Sequence, residues 1–274
     1  IAATSHPDFD ASKHITPDTI KDTPKEILMA AAKQGLFLEH LAVYGNPDIV
    51  QVAVNHPDFD PSKVSLDDHC NVRTMNEFAI EILVERGVCL KEIFKGPNIH
   101  VIDDGIFVEK SFQIASKIAR LPEFMKIEMT DKELNALPWQ KRYILAGTQK
   151  YAERLLDDLS PTVVARAITS IKDSEKLMDF VQDVEQVIKQ NGVDSINFKI
   201  AHALARKGYL LDYFCMSKET DIVREALAHP SFDPSSVSSE ILEGIADSFD
   251  DPLIKNRAMS LASGSMESVM SPSA

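Results

Sequence analysis

A short block built on His-Pro and Phe-Asp occurs three times in this chain and constrains its fold more than any other feature. The copies are His6-Pro7-Asp8-Phe9-Asp10, His56-Pro57-Asp58-Phe59-Asp60 and His229-Pro230-Ser231-Phe232-Asp233. The second and third lie in a longer window that aligns without a gap. In the pairs Gly35 and Gly208, Asp48 and Asp221, and Val64 and Val237, the two residue numbers differ by 173. Duplication of so long a window indicates a repeat architecture.

Weaker copies of the same pattern extend this interpretation along the chain. One ends at Leu121-Pro122-Glu123-Phe124, where Ile114, Ala115, Ile118 and Ala119 take the places of Ile49, Val50, Ala53 and Val54. A fainter copy covers residues 163–171. The sequence therefore predicts roughly five degenerate units of about 50 residues each.

The chemistry of the block explains why it should recur where a helix ends. Pro57 cannot continue a helix, because it lacks an amide hydrogen and its ring clashes with the preceding turn. Phe59 is the only large apolar group in the loop that follows, so we expect it to fill the space between neighbouring units. Asp60-Pro61 then offers an N-cap acceptor and a proline at the first helical position, which predicts a new helix. We assign residues 6–10, 56–60 and 229–233 to such structural corners.

The predicted fold is all-α, an α-solenoid of degenerate helix pairs. One small β-hairpin is expected near residues 99–109, where β-branched runs flank Asp104-Gly105. Residues 1–262 should form one elongated domain, the alternative being two halves that meet near residues 125–160, and residues 263–274 a flexible tail. Apolar periodicity predicts helices near 23–34, 36–45, 47–55, 74–86, 88–95, 110–120, 137–158, 160–171, 173–190, 196–207, 209–217, 219–228 and 238–248.

The segment from Ala42 to Pro57 resembles the second half of an ankyrin repeat. Gly45-Asn46 stands where that family separates its helices, and Ile49-Val50 opens the second helix. Residues 218–227 are similar but lack the Gly-Asn pair. The ankyrin period is about 33 residues, shorter than the spacing here. The resemblance implies stacked helical pairs that bind proteins, and it carries over no contact residue.

Composition limits the possible partners and compartments. The net charge of −13 disfavours nucleic acid as the primary ligand, because phosphate backbones would be repelled. Cys70, Cys89 and Cys215 show no Cys-x-x-Cys spacing, so we expect neither a disulfide framework nor a zinc site, and a reducing cytoplasmic location fits. No stretch reaches the roughly 18 apolar residues of a membrane span, and no signal peptide is evident.

Three features of the sequence are candidate sites of catalysis or ligand binding. His56, Asp58 and Asp60, with their counterparts in the other copies, carry metal-ligand side chains, but helix termination also explains the Pro and Phe. His69-Cys70 joins an imidazole and a thiol, although sequence neighbours seldom reach catalytic geometry. Residues 139–143, Trp-Gln-Lys-Arg-Tyr, have the composition of a nucleic-acid stacking platform, but on a chain of charge −13 we expect an amphipathic helix with Trp139 and Tyr143 inward. We expect no catalytic residue, cofactor or metal.

The function expected from the sequence is a non-catalytic protein-interaction module whose partner is another protein, with a basic one matching the charge. Two alternatives come from other classes. One is a structural component of a larger assembly, such as a viral particle or a multi-subunit complex. The other is a helical enzyme whose site would lie beside His56, His69 or His229.

Overall fold

The computed structural model describes residues 9–44, 46–64, 77–96, 106–172 and 174–269, with the backbone alone for 77–78, 106–111 and 264–269. The chain divides into two compact units, Ile1–Glu133 and Leu134–Ala274. Within the described residues every regular element is helical, which confirms the all-α prediction. No helix among them is both long and apolar enough to cross a bilayer.

The first unit is built from short helices joined by tight turns. Its α-helices are α1 (Lys25–Lys33), α2 (Leu38–Ala42), α3 (Pro47–Asn55), α4 (Glu77–Glu85), α5 (Leu90–Lys95), α6 (Ile106–Ile118) and α7 (Pro122–Met125). Three-residue or six-residue 3-10 helices cover Ala11–Lys13, Pro17–Asp22 and Pro61–Lys63. Helix α3 packs against α1, α2 and α4. Helix α8 (Asp131–Asn135) spans the sequence boundary between the units.

In the second unit, long-range packing joins helices that lie two places apart in chain order. Its α-helices are α9 (Trp139–Ala146), α10 (Gln149–Ala152), α11 (Pro161–Ser170), α12 (Glu175–Asn191), α13 (Phe198–Arg206), α14 (Leu211–Phe214), α15 (Thr220–Ala228), α16 (Ser239–Ser248) and α17 (Pro252–Val269). Short 3-10 helices cover Glu153–Leu155, Val193–Ser195 and Pro234–Ser236. The packed neighbours are α9 with α11, α11 with α13, α13 with α15, and α15 with α17.

The same helix ending occurs three times, after α1, α4 and α13. In each, a glycine with positive φ follows the helix, and the next residue donates its amide hydrogen to a carbonyl five positions earlier, closing a Schellman motif. Two residues after the glycine, a non-glycine residue with φ of 50–54° is the N-cap of the next short helix. Among the described residues these are the only non-glycine positions with positive φ: Phe37, Cys89 and Leu210.

Four helices bury the same pattern of positions. In α3, α11 and α15, and in the last turn of α6 with the residue after it, buried side chains fall at i, i+1, i+4 and i+5, a stripe on one helical face. The four sets are Ile49, Val50, Ala53, Val54; Ile114, Ala115, Ile118, Ala119; Val163, Val164, Ala167, Ile168; and Ile222, Val223, Ala226, Leu227. Helices α3, α11 and α15, which carry this stripe, each pack against at least two other helices.

Two sequence predictions are wrong in the described residues. The second strand of the predicted hairpin, residues 106–108, is instead the first turn of α6, while residues 97–105 lie outside the described residues. A helical period that continues to Ile118 outweighs the local strand preference of three residues. At the C-terminus, α17 runs to Val269, so residues 263–269 are helical where no helix was predicted.

Candidate interaction surface

The aspartate of each recurring block accepts hydrogen bonds from a serine two residues later. Oδ1 of Asp10, Asp60 and Asp233 accepts from both the backbone amide and the hydroxyl of that serine, at 2.6–3.1 Å. These bonds lower the pKa of all three carboxyl groups. Each aspartate thereby caps a 3-10 helix rather than an α-helix.

The histidine of the block bonds to its own loop and covers a glycine. Nδ1 of His56 accepts from the amide of Asp58 at 3.2 Å, and Nδ1 of His229 accepts from that of Ser231 at 3.1 Å. Each imidazole lies against the positive-φ glycine 21 positions earlier in the sequence. A Cβ on Gly208 would lie 2.5 Å from Cε1 of His229, so no side chain larger than hydrogen fits there without movement. His6 and Pro7 lie outside the described residues.

The phenylalanine of the block packs into the core to different extents. Phe232 is buried, whereas Phe9 and Phe59 are half-buried and lie against the core of the first unit. In the weaker copy, Phe124 is fully buried, with its ring centroid 4.9 Å from that of Phe94. The ring therefore contributes to the packing of the loop in each copy that the structure describes.

Replacing Phe59 with Ala should lower the free energy of unfolding by about 2 kcal/mol, less than the usual cost of truncating a fully buried aromatic residue. The reason is that part of the ring of Phe59 is already in contact with water. Urea denaturation followed by circular dichroism measures the change. A midpoint equal to that of the wild-type protein would show that the ring does not hold the loop against the core.

The histidines and aspartates of the recurring block are not grouped as metal ligands in the described residues, and the thiol of Cys215 is buried. Within the described ranges, no three His, Cys, Asp or Glu side chains are grouped to hold a metal ion. His69 and Cys70 fall outside those ranges. Cys215 is buried and its Sγ donates to the carbonyl of Asp212; burial raises the pKa of this thiol to about 12.

The basic and aromatic run at residues 139–143 does not present a free cationic platform. Lys141 is buried, and Arg142 bonds through its guanidinium to the carboxylate of Asp158 and to the carbonyl of Leu137. Trp139 is half exposed, so the prediction that its ring points inward is wrong. Tyr143 is half-buried, with the guanidinium of Arg166 lying 5.7 Å from its ring centroid.

A groove in the second unit brings two exposed apolar side chains together. One wall is the turn 215–218 after α14; the other is formed by Ile241, Gly244, Ile245, Ser248 and Phe249 of α16 and its end. The cavity volume is about 490 Å³. Met216 and Ile241, 45% and 41% exposed, border it. Single exposed apolar residues are common on proteins, whereas contiguous exposed apolar patches mark binding surfaces, which makes this groove the candidate site of the second unit.

The wall formed by residues 215–218 is held in place by hydrogen bonds. The hydroxyl of Ser217, itself buried, donates to Oδ1 of Asp194 at 3.3 Å and accepts from the amide of Glu219 at 3.2 Å. The same Oδ1 accepts from the amide of Lys218, and Nζ of Lys218 lies 3.3 Å from Oδ2. These contacts lower the pKa of Asp194, the backbone bond from Lys218 most of all. These contacts fix one wall of the groove.

Comparisons with models of known protein families, with curated proteins and with solved structures found no match to this chain. The resemblance to ankyrin repeats therefore rests on the residues quoted from the sequence.

Proposed function

We propose that this chain is a non-catalytic protein-interaction module, built as an α-solenoid of degenerate, ankyrin-like helix pairs. The observation that carries the proposal is the threefold recurrence of one backbone geometry, a Schellman glycine followed two residues later by a positive-φ residue, at Gly35, Gly87 and Gly208. Helix pairs of this kind cannot bury their apolar faces alone, so they stack, and the stack offers a long surface to partners.

The use of the polar side chains supports binding over catalysis. In the two complete described copies, the histidine and the aspartate of the block are engaged in capping their own loop. A group committed to such bonds is poorly placed to act as a general base, which must reach the proton of a substrate. The recurring geometry of the corner thus serves the fold.

The charge of the chain supports a basic partner. A net charge of −13 attracts cationic surfaces over distances of about 10 Å at moderate salt and repels phosphate backbones. Complementary charge raises association rates and excludes partners of the same sign. We therefore expect the partner to be a protein with a basic surface.

Crosslinking mass spectrometry in the native cell, followed by reconstitution from purified components, tests the proposal. A crosslinked protein should form a complex of fixed stoichiometry with the purified full chain, measured by analytical ultracentrifugation without any added cofactor. If none of the crosslinked proteins forms such a complex, the proposed function is wrong.

A further inference from the structure

We infer that the groove between residues 215–218 and α16 is a docking site for a basic, amphipathic helical segment of a partner protein. An apolar side chain of that segment enters the groove, and its lysine or arginine side chains bind the acidic border of α16. This inference rests on the proposed function and specifies where the partner binds and what chemistry it presents.

The first line of support is Gly244, which lies in the middle of α16 and lines the groove. A glycine within a helix costs about 0.5–1 kcal/mol relative to alanine. Packing within the protein does not require it here, because a Cβ at this position would have no atom within 4 Å. The helix therefore keeps its backbone open to the groove at a cost in stability, as expected where a ligand approaches closely.

The second line of support is the charge along the border of the groove. Residues 238–251 contain five acidic residues and no lysine or arginine. Glu240, Glu243 and Asp247 recur at helical spacing beside the groove-lining face, and all three are exposed. None of these three carboxylates forms an ion pair with another described residue. The one lysine in the opposite wall, Lys218, is paired with Asp194.

The open position at Gly244 and the unpaired carboxylates at the border together indicate which kind of partner segment the groove binds. A groove that is lined in part by Met216, Ile241 and Phe249 and edged by unpaired carboxylates is complementary to a helix that carries aliphatic side chains on one face and cations beside them. A second copy of this chain fits poorly, since a symmetric contact would place the same carboxylates against each other. The cavity volume lies within the roughly 300–1,000 Å³ of ordinary ligand pockets, enough to take up large aliphatic side chains.

The test uses the full chain and a labelled synthetic peptide of about 18 residues, with Leu at helical spacing on one face and Lys elsewhere. Binding is measured by fluorescence anisotropy. Two control peptides replace either all Lys with Glu or all Leu with Ser. We expect the basic amphipathic peptide to bind in a salt-dependent manner and both controls to bind at least about tenfold more weakly.

Variants of the protein separate the groove from general charge attraction. Gly244→Leu fills the groove and should raise the melting temperature by a few degrees while weakening peptide binding at least about tenfold. The double variant Met216→Ser with Ile241→Ser tests the same surface without touching the helix backbone. Its matched control is Met178→Ser, an equally exposed methionine on α12, which should leave binding unchanged.

The acidic border has its own matched pair of variants. Replacing Glu240, Glu243 and Asp247 with their amides should weaken binding by about tenfold. The same removal of three charges at the exposed positions 175, 179 and 183 of α12 should change it less than about twofold. Equal weakening by both triple variants, or undiminished binding by the Gly244→Leu and the double serine variants, would overturn the assignment of the groove.

The partner found by crosslinking distinguishes failure of the groove from failure of the proposed function. If that partner binds the wild-type chain and Gly244→Leu equally well, the module binds proteins but through another surface. If no partner forms a complex, the proposed function fails, and the peptide measurements still decide what the groove binds.

Discussion

Replacing Arg142 with Met should lower the free energy of unfolding by about 3–5 kcal/mol, the usual cost of leaving a buried charge without its partner. The side chain of Asp158 is 2% exposed, and both of its oxygens accept from the guanidinium, at 2.5 and 3.3 Å. Methionine fills a similar volume but donates no hydrogen bond. The carboxylate then has to lose its charge or draw water into the core, and either response destabilises the second unit.

Two controls isolate this effect from the loss of any arginine. Arg224→Met removes a more exposed pair, in which Arg224 is 43% and Asp251 15% exposed, and should cost about 1–2 kcal/mol, less than Arg142→Met. The double variant Arg142→Met with Asp158→Asn removes the stranded charge while keeping the acceptor for the amide of Ser160. It should be more stable than Arg142→Met alone. Urea denaturation gives all three values, and an Arg142→Met cost no larger than that of Arg224→Met contradicts the prediction.

Features that depend on a few neighbouring residues were visible in the sequence. Asp-Pro-Ser after a helix specifies a capped turn wherever it occurs, because acceptor, donor and proline all lie within three positions. Pro57 and Pro230 likewise end α3 and α15 by local sterics. The start of α17 carries the same signal in Asp251-Pro252, where Oδ1 of Asp251 accepts from the amide of Leu253. That signal could have been used to predict the helix.

Features that depend on contacts between distant residues were missed. The predicted single helix over residues 137–158 is divided into α9, α10 and a 3-10 helix, with Gly147 ending the first of them. The side chain of Arg166 lies against that glycine, 3.0 Å from where a Cβ would stand. The groove likewise joins segments that are more than 20 positions apart. Apolar periodicity reports which face is buried and not which segment covers it.

The contact between glycine and histidine could be predicted from the sequence only in part. The gapless alignment at a spacing of 173 residues contained both members of each pair, Gly35 with His56 and Gly208 with His229. Their joint recurrence was a signal that they act together. Only the folded chain shows the reason, which is that the imidazole fills the space where a Cβ would stand.

Replacing Gly208 with Ala should therefore lower the free energy of unfolding by about 3 kcal/mol, from the strain of a positive φ and from overpacking against His229. The imidazole cannot move away without breaking its bond to the amide of Ser231. Gly87 provides a matched control, because it closes the same Schellman motif with a φ of 72°, and a Cβ there would meet only Cγ of Glu123 at an ordinary 3.7 Å. Gly87→Ala should cost only the backbone strain, about 1 kcal/mol.

A double-mutant cycle separates the steric contribution from the strain. Adding His229→Ala to Gly208→Ala frees the space for the new methyl group, so the two changes should together cost about 1–3 kcal/mol less than the sum of the single changes. The cycle is measured by urea denaturation of the four proteins. Additive costs, or equal costs for Gly208→Ala and Gly87→Ala, would mean that the imidazole does not restrict this turn. The recurrence of the pair would then need another cause, and the case for a homologous helix-pair unit would lose its best-defined contact.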